Sequence, residues 1–309
     1  MLMRHEYLAT RPVDLYSMHL FELVAIEGSF TRAAGIAGVS QSAVTRQIQG
    51  MENRLGVNLL ERTTRKVTLT DAGHALLAEA RQLNGSLEES LRRFKEEHVD
   101  ATKTVRVGFS RSVGLASLPG FLLPFHRKSP DVRLKISHDA GVGLLVALLD
   151  HRLDIAILTA PERLNSSLQV QHSFTDEFEL IVGAQAKLPA GTPPWPAAEF
   201  QAWLEQQTWM HLSQQSHTGQ KLAGWLKEQH YPHTPAMELD NFEILIQLVA
   251  MGFGASWVPR RALAAYPRKK AIQRVPLPVR FERQIVMVTR RSHTLPKHIQ
   301  DLIEGVLFS

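Results

Sequence analysis

Between residues 28 and 56 the chain carries a series of stops and starts: Gly28-Ser29, then Gly38 to Ser40, then Gly56. These cut it into short helices and leave little room for another fold. Upstream, Leu15, Met18, Leu20, Phe21, Val24 and Ala25 recur at helical spacing, and Gly28 ends that run. Ser29 can cap a short helix carrying Phe30, Ala33, Ala34 and Ala37, and Gly38 supplies the positive φ of a tight turn. Ser40 caps the next helix, Gln41–Leu55. There Val44, Ile48, Met51 and Leu55 form an apolar stripe, while Gln41, Ser42, Thr45, Arg46 and Gln49 face outward. Small side chains at Ala33 and Ala34 let two helices approach closely, and the short turn sets the wide crossing angle of a helix-turn-helix. Past Gly56, LLERTTRKVTLT reads as two short strands flanking Thr63, Thr64, Arg65 and Lys66, a wing with a basic tip.

Charge points to a partner for this segment. The whole chain carries only +5, yet residues 29–66 hold six bases against Glu52 and Glu61, a net +4. On charge alone this is either a solvated helical face or the footprint of a polyanion; the helix-turn-helix decides for double-stranded DNA. Gln41 and Ser42 stand at the helix N-terminus, where base edges are met, and a glutamine can pair bidentately with adenine. Arg32, Thr45, Arg46, Arg62 and Arg65 fit phosphates or the minor groove, and Ser40, Gln49, Thr63 and Lys66 complete the DNA-facing set.

Composition excludes several classes. At 309 residues, 44% hydrophobic and 21% charged, the chain is globular and large enough for two or three domains. It has no apolar run near the roughly 20 residues that span a bilayer, and MLMRHEYLATRPVD lacks a secretory apolar region, so a cytoplasmic protein without membrane contact is expected. With no cysteine there is no disulfide, thiolate zinc site or cysteine nucleophile. The absence of GxSxG, HExxH and GxxxxGK[ST] speaks against an enzyme. His211 with His217, and His230 with His233, have spacings a metal could use but that arise readily without one; no metal site and no cofactor are expected.

Thr70 can cap a long helix from Asp71 to about residue 99, along which Leu76, Ala80, Leu83, Leu87, Ser90 and Phe94 follow heptad steps. That seam either pairs two subunits or packs on its own domain. From residue 103 the periodicity changes. VRVGFS, VRLKIS and DIAIL read as strands separated by helices near 115–125 and 142–149, which predicts a parallel sheet with a ligand crevice beyond the strands' carboxyl ends. Those ends are Ser110, Arg111 and Ser112, then His138 to Gly141, then Thr159. A second alternating series, WMHLS, a helix near 222–228, AMEL, a helix over 242–250 and ASWVP, predicts another lobe. Arg111 could pair with a carboxylate effector, which would make the effector anionic, or could be an exposed loop arginine.

The segment SFTRAAGIAGVSQSAVTRQIQGMENRLGVNLLERTTRKVTLTDAG resembles the winged helix-turn-helix of LysR-type transcriptional regulators along its whole length. It departs from their pattern at Ala37, where a larger apolar residue is usual, at Ser42, where proline is common, and at Leu60, where phenylalanine is common. LLPFHRKSPDVRLKIS, LLVALLDHRLDIAIL and LIQLVAMGFGASWVP are similar to the same family's regulatory region, extending the resemblance over about residues 14–308. It implies a multidomain architecture: an α-rich winged helix-turn-helix over 14–71, a dimerisation linker helix over 71–99, and an α/β two-lobed regulatory domain of the type 2 periplasmic-binding-protein kind over 103–309. The chain would cross between lobes near Glu179 and Arg280, placing 103–178 and 281–309 in one lobe and 179–280 in the other. It also implies that Leu76, Leu83, Leu87 and Phe94 pair two subunits into a homodimer, with the further assembly of dimers into a homotetramer left open. A small-molecule co-inducer would sit in the cleft on Ser110, Ser112, Thr159, Ser213 and Gln214, with Gly141 at its edge and Phe242 in apolar contact. RNA polymerase stays open as a further partner, and constitutive DNA binding without any effector stays open as an alternative.

Overall fold

Residues 13–62, 67–99, 102–113, 125–127, 129–232, 234–277, 279–291 and 295–305 are described by the computed structural model, which divides into two compact units, Met1–Asp100 and Ala101–Ser309.

In the first unit each helix starts on a side-chain cap and most end on a left-handed glycine. Helix α1, Leu15–Glu27, opens with a capping box: Asp14 Oδ1 accepts from Ser17 N at 2.7 Å while Ser17 Oγ accepts from Asp14 N at 3.2 Å. Helix α2, Phe30–Ala37, is capped by Ser29, and α3, Gln41–Leu55, by Ser40. Gly28, Gly38 and Gly56 close the three helices at φ 57°, 68° and 70°, a conformation that disfavours any side chain with a Cβ. Leu20, Phe21, Val24, Ala33, Ala34, Val44, Ile48 and Met51 form the core. Two expected core positions differ: Leu15 and Leu55 are exposed, and the inward place near the end of α3 belongs to Glu52. Its Oε1 accepts from the backbone N–H of Leu59 at 2.9 Å and of Leu60 at 3.2 Å, tying α3 to the wing. Strands β1, Leu60–Arg62, and β2, Val67–Leu69, pair antiparallel as expected; the wing tip with Thr63, Arg65 and Lys66 lies outside the described residues, as does the side chain of Arg62.

Helix α4, Asp71–His98, begins at Thr70, whose Oγ1 accepts from Gly73 N at 3.0 Å and donates to Asn58 O at 2.8 Å. A Cβ on Gly73 would collide with the Leu59 carbonyl, so the TDAG stretch is glycine-ended because α4 presses directly on the backbone entering the wing. Leu77 and Ala80 join the core and Leu76 packs half-buried against it.

The second unit is built on β3, Lys103–Ser110, flanked in parallel by β4, Val132–Asp139, and β5, Ile155–Thr159. Helix α5, Gly141–Leu149, makes the crossover between β4 and β5; the expected helix near 115–125 lies almost wholly outside the described residues. The sheet is mixed, not wholly parallel. The long strand β6, Leu168–Gly183, and the returning strand β11, Glu282–Arg290, extend it antiparallel, because β11 comes back from the far lobe along β5. Helix α10, Lys297–Gly305, then covers the sheet with Ile299, Leu302 and Ile303.

Strand β6 serves both lobes. Up to Glu177 it pairs with β11, and from Phe178 onward with β9, Ala255–Pro259, and β10, Ile272–Val275. The second lobe adds helix α6, Ala197–Glu205, strands β7, Met210–Leu212, and β8, Met237–Leu239, then α7, His217–Glu228, α8, Phe242–Ala250, and α9, Arg260–Ala265. All five tryptophans pack in or against this lobe's core. No helix among the described residues is long and apolar enough to cross a membrane.

Candidate functional site

The first candidate surface is the N-terminal end of α3. Gln41, Ser42, Arg46 and Gln49 are exposed and Thr45 half-buried, on the face opposite Val44, Ile48 and Met51. Neighbours orient the first two side chains. Gln41 Oε1 accepts from Thr31 Oγ1 at 3.2 Å, leaving the amide N–H groups outward, and the Ser42 hydroxyl lies 3.0 Å from that of the cap Ser40. Thr31 is a positioning residue that sequence reading missed; it stands outside the recognition helix, and only the α2–α3 packing brings it there. Arg46 makes no hydrogen bond or ion pair among the described residues and is available to an anion. Arg32 is placed differently from the expectation: its guanidinium turns back onto α1, with Nε 3.0 Å from Glu27 Oε2 and a second contact to the Glu27 carbonyl.

Along α4, Leu83, Leu87, Leu91 and Phe94 form an exposed apolar stripe. Leu91 was missed because the heptad count placed Ser90 there. Two charge pairs close within α4, Arg92 with Glu96 at 2.9 Å and Arg93 with Glu89.

The second candidate site is a crevice of about 690 Å³ between the lobes of the regulatory unit. Ser110, Arg111 and Ser112 reach it from the end of β3, Gly141 from α5, and Thr159 from the end of β5. The far wall is Ser213 with the first turn of α7, where Ser216 caps the helix by accepting from Gly219 N at 3.0 Å. Gln214 lies outside the crevice, in a small niche with His211 and Leu222. The chain turns there so that Gln215 and His217 take the inward places. Phe242 lies beside the crevice, 5% exposed and edge-on to Phe178 at 5.5 Å, and lines a separate cavity of about 250 Å³.

Hydroxyls join the lobes across the crevice floor. Thr218 Oγ1 lies 2.8 Å from Thr159 Oγ1 and 3.1 Å from Ser112 Oγ. Behind them stands Arg283, wholly buried and unforeseen. It donates to Ser112 Oγ at 3.0 Å, Ser112 O at 2.8 Å and Thr218 Oγ1 at 2.9 Å, and pairs with Asp176 Oδ2 at 2.8 Å. Its guanidinium also stacks over Phe178 and Phe242, at 5.2 and 5.5 Å. Burial pulls its pKa down and Asp176 opposes the shift, so the guanidinium keeps its charge. Nothing in the local sequence around FERQIV distinguishes this arginine from a surface one. At the mouth, Arg111 Nη1 lies 3.3 Å from Asp240 Oδ2 across the lobes, and His217 Nε2 lies 3.2 Å from the Ala160 carbonyl oxygen. A larger concavity of about 960 Å³ on the second lobe is lined by Arg268, Lys269, Lys270 and the backbone of residues 182–186, without converging buried side chains. Among the described residues no three His, Asp or Glu side chains gather as a metal site.

A helix-turn-helix with a wing joined through one long helix to two lobes that share a strand matches known proteins throughout. The family described as "LysR substrate binding domain" matches residues 99–307, and "Bacterial regulatory helix-turn-helix protein, lysR family" matches residues 15–74. The chain belongs to the LysR family of transcriptional regulators. It is 27% identical over 289 residues to a probable RuBisCO transcriptional regulator of Thalassiosira pseudonana, covering 90% of this chain and 92% of the relative. To a regulator of the same description from Nostoc sp. it is 30% identical over 260 residues, covering 82% of this chain and 75% of the relative. Among solved structures, full-length OxyR from Pseudomonas aeruginosa matches with TM-score 0.67 and 22% identity over 95% of this chain and 94% of that one. CbnR in complex with its target DNA matches with TM-score 0.65 and 23% identity over 95% and 99%. As a LysR-type regulator the chain is a DNA-binding protein with an effector-binding domain and not an enzyme.

Proposed function

We propose that two subunits pair through the apolar stripe of α4, and that this homodimer, assembled further into a homotetramer, sets recognition helices on two-fold-related promoter half-sites. Gln41 and Ser42 then read base edges while Arg46 and the wing grip phosphates. The regulator acts in the cytoplasm, requires no metal or prosthetic cofactor, and contacts RNA polymerase once bound. A small-molecule effector enters the crevice, and its preference for one lobe arrangement changes DNA binding through a coupling on the order of 1–3 kcal/mol. The observation that carries the effector reading is the convergence of Ser110, Ser112 and Thr159, at the carboxyl ends of two parallel strands, with the first turn of α7 from the other lobe.

The test is capture of genomic fragments by the full-length protein, repeated with metabolites made by the products of genes beside the captured sites. Discrete promoter sites whose footprint shifts with one metabolite support the proposal. Salt-sensitive binding without preferred sites would sink it.

A further inference from the structure

The charges lining the crevice balance in the sense opposite to the one Arg111 suggests by itself. Two features of its walls would ordinarily draw an anion: the Arg111 guanidinium and the N-terminus of α5, whose cap residue Ala140 offers no side-chain acceptor. The chain already answers both with carboxylates of its own. Arg111 faces Asp240 at 3.3 Å. Asp139 folds onto the start of α5, where Oδ1 accepts from Ala140 N at 2.7 Å. That carboxylate lies so close over the first turn that a Cβ on Gly143 would come within 2.8 Å of Asp139 Cγ. An incoming carboxylate would have to displace one that the fold supplies.

The charge left over is negative. Asp139, Glu162 and Asp240 line the crevice against the single guanidinium of Arg111, and Glu162 makes no ion pair among the described residues. Arg283, behind the floor, is committed to Asp176. Ser110 gives an independent sign of a missing partner: it lines the same crevice, is 8% exposed, and its Oγ has no hydrogen-bond partner among the described residues. A buried hydroxyl left unpaired is costly, and a ligand N–H that reaches it removes that cost.

We propose that the effector carries a cationic nitrogen, an ammonium or guanidinium group, recognised by Glu162 and the Asp139 carboxylate, with Ser110 Oγ accepting one of its N–H groups. This rests on the reading of the crevice as the effector site.

The test is calorimetric titration of the full-length protein with cadaverine, lysine and agmatine, set against glutarate as a dicarboxylate of matched length. At least one amine should bind more tightly than glutarate and lose about tenfold in affinity on Glu162→Gln, the effect of removing one charge-assisted contact. Tighter binding of glutarate, a gain in affinity on Glu162→Gln, or failure of every amine to bind overturns the proposal. Val142→Trp, at an exposed position on the first turn of α5, places an indole at the crevice wall beside Asp139 and separates the two claims. An amine that binds Val142→Trp undiminished sits elsewhere and removes the crevice reading as well. Glutarate that binds the parent protein and is blocked by Val142→Trp leaves the crevice as the effector site and removes only the amine.

Discussion

The DNA-reading surface and the effector crevice belong to one chain but are made in opposite ways. The first is contiguous: Ser29 to Thr70 supply its caps, its turn and its wing strands, and the readers stay exposed. The second is assembled from residues as far apart as Ser110 and Arg283, with its hydroxyls turned inward around a buried charge. A surface that must meet a variable partner keeps its donors in water, where changing one is cheap. A crevice that must hold two lobes in register buries its polar groups, where each needs its partner.

This contrast predicts a ranking of effects. The largest belongs to the buried charge: Arg283→Met strands the Asp176 carboxylate and should destabilise the regulatory unit by about 3–5 kcal/mol. Because all five tryptophans pack on the second lobe, intrinsic fluorescence in urea reports it directly. Changing Asp176→Leu in the same chain should recover most of that loss, and no recovery would mean that the arginine matters for its contacts with Ser112 and Thr218 instead.

Next comes the one place where the contiguous unit is equally unforgiving. Gly73→Ala drives a methyl group into the Leu59 carbonyl and should cost about 1–3 kcal/mol, seen as a lower circular-dichroism melting temperature and weaker DNA binding. A neutral result would show that α4 can slide from the wing.

At the exposed readers, Gln41→Ala should forfeit about 1–3 kcal/mol of discrimination at one base-pair position while the fold melts unchanged. Arg46→Ala should weaken binding evenly across sequences and reduce the salt slope by about 1. Competition binding against single-base operator variants at several salt concentrations distinguishes them; a sequence-selective loss on Arg46→Ala would reverse the assignment.

The smallest effect sits at the α1 cap, where Asp14→Ala should cost about 1 kcal/mol. Hydrogen bonds from the Ser17 backbone and hydroxyl hold the Asp14 carboxyl below its usual value. Its contribution is therefore complete above the unfolded carboxylate range and fades as pH falls through the lower folded value. Melting curves on acidification should show the parent protein converging on Asp14→Ala; parallel curves would deny the cap a role.

The same contrast decides what could be read before the structure. The caps at Ser29, Ser40 and Thr70 and the stops at Gly28, Gly38 and Gly56 act within a few residues, so their spacing specified the helices directly. The strand ends at Ser110 and Thr159, and the helix start at Gly141, were equally legible, because apolar runs bounded by small residues place them at one edge of a sheet. Glu52 was read only as a charge opposing DNA contacts, since its hydrogen bonds to Leu59 and Leu60 depend on how the wing folds back. Gln214 follows the visible end of a strand, whereas the inward places of Gln215 and His217 depend on the turn into α7, which no periodicity shows. Arg283 and Asp176, and the salt bridge from Arg111 to Asp240, join partners more than a hundred positions apart, and no periodicity carries that information.

Strand β6 runs unbroken from Leu168 to Gly183 through the junction of the two lobes. At that junction the backbone stays extended and only its ladder partner changes, from β11 to β9 and β10. The two lobes are thus joined at this crossing by an extended ribbon and not by a loop.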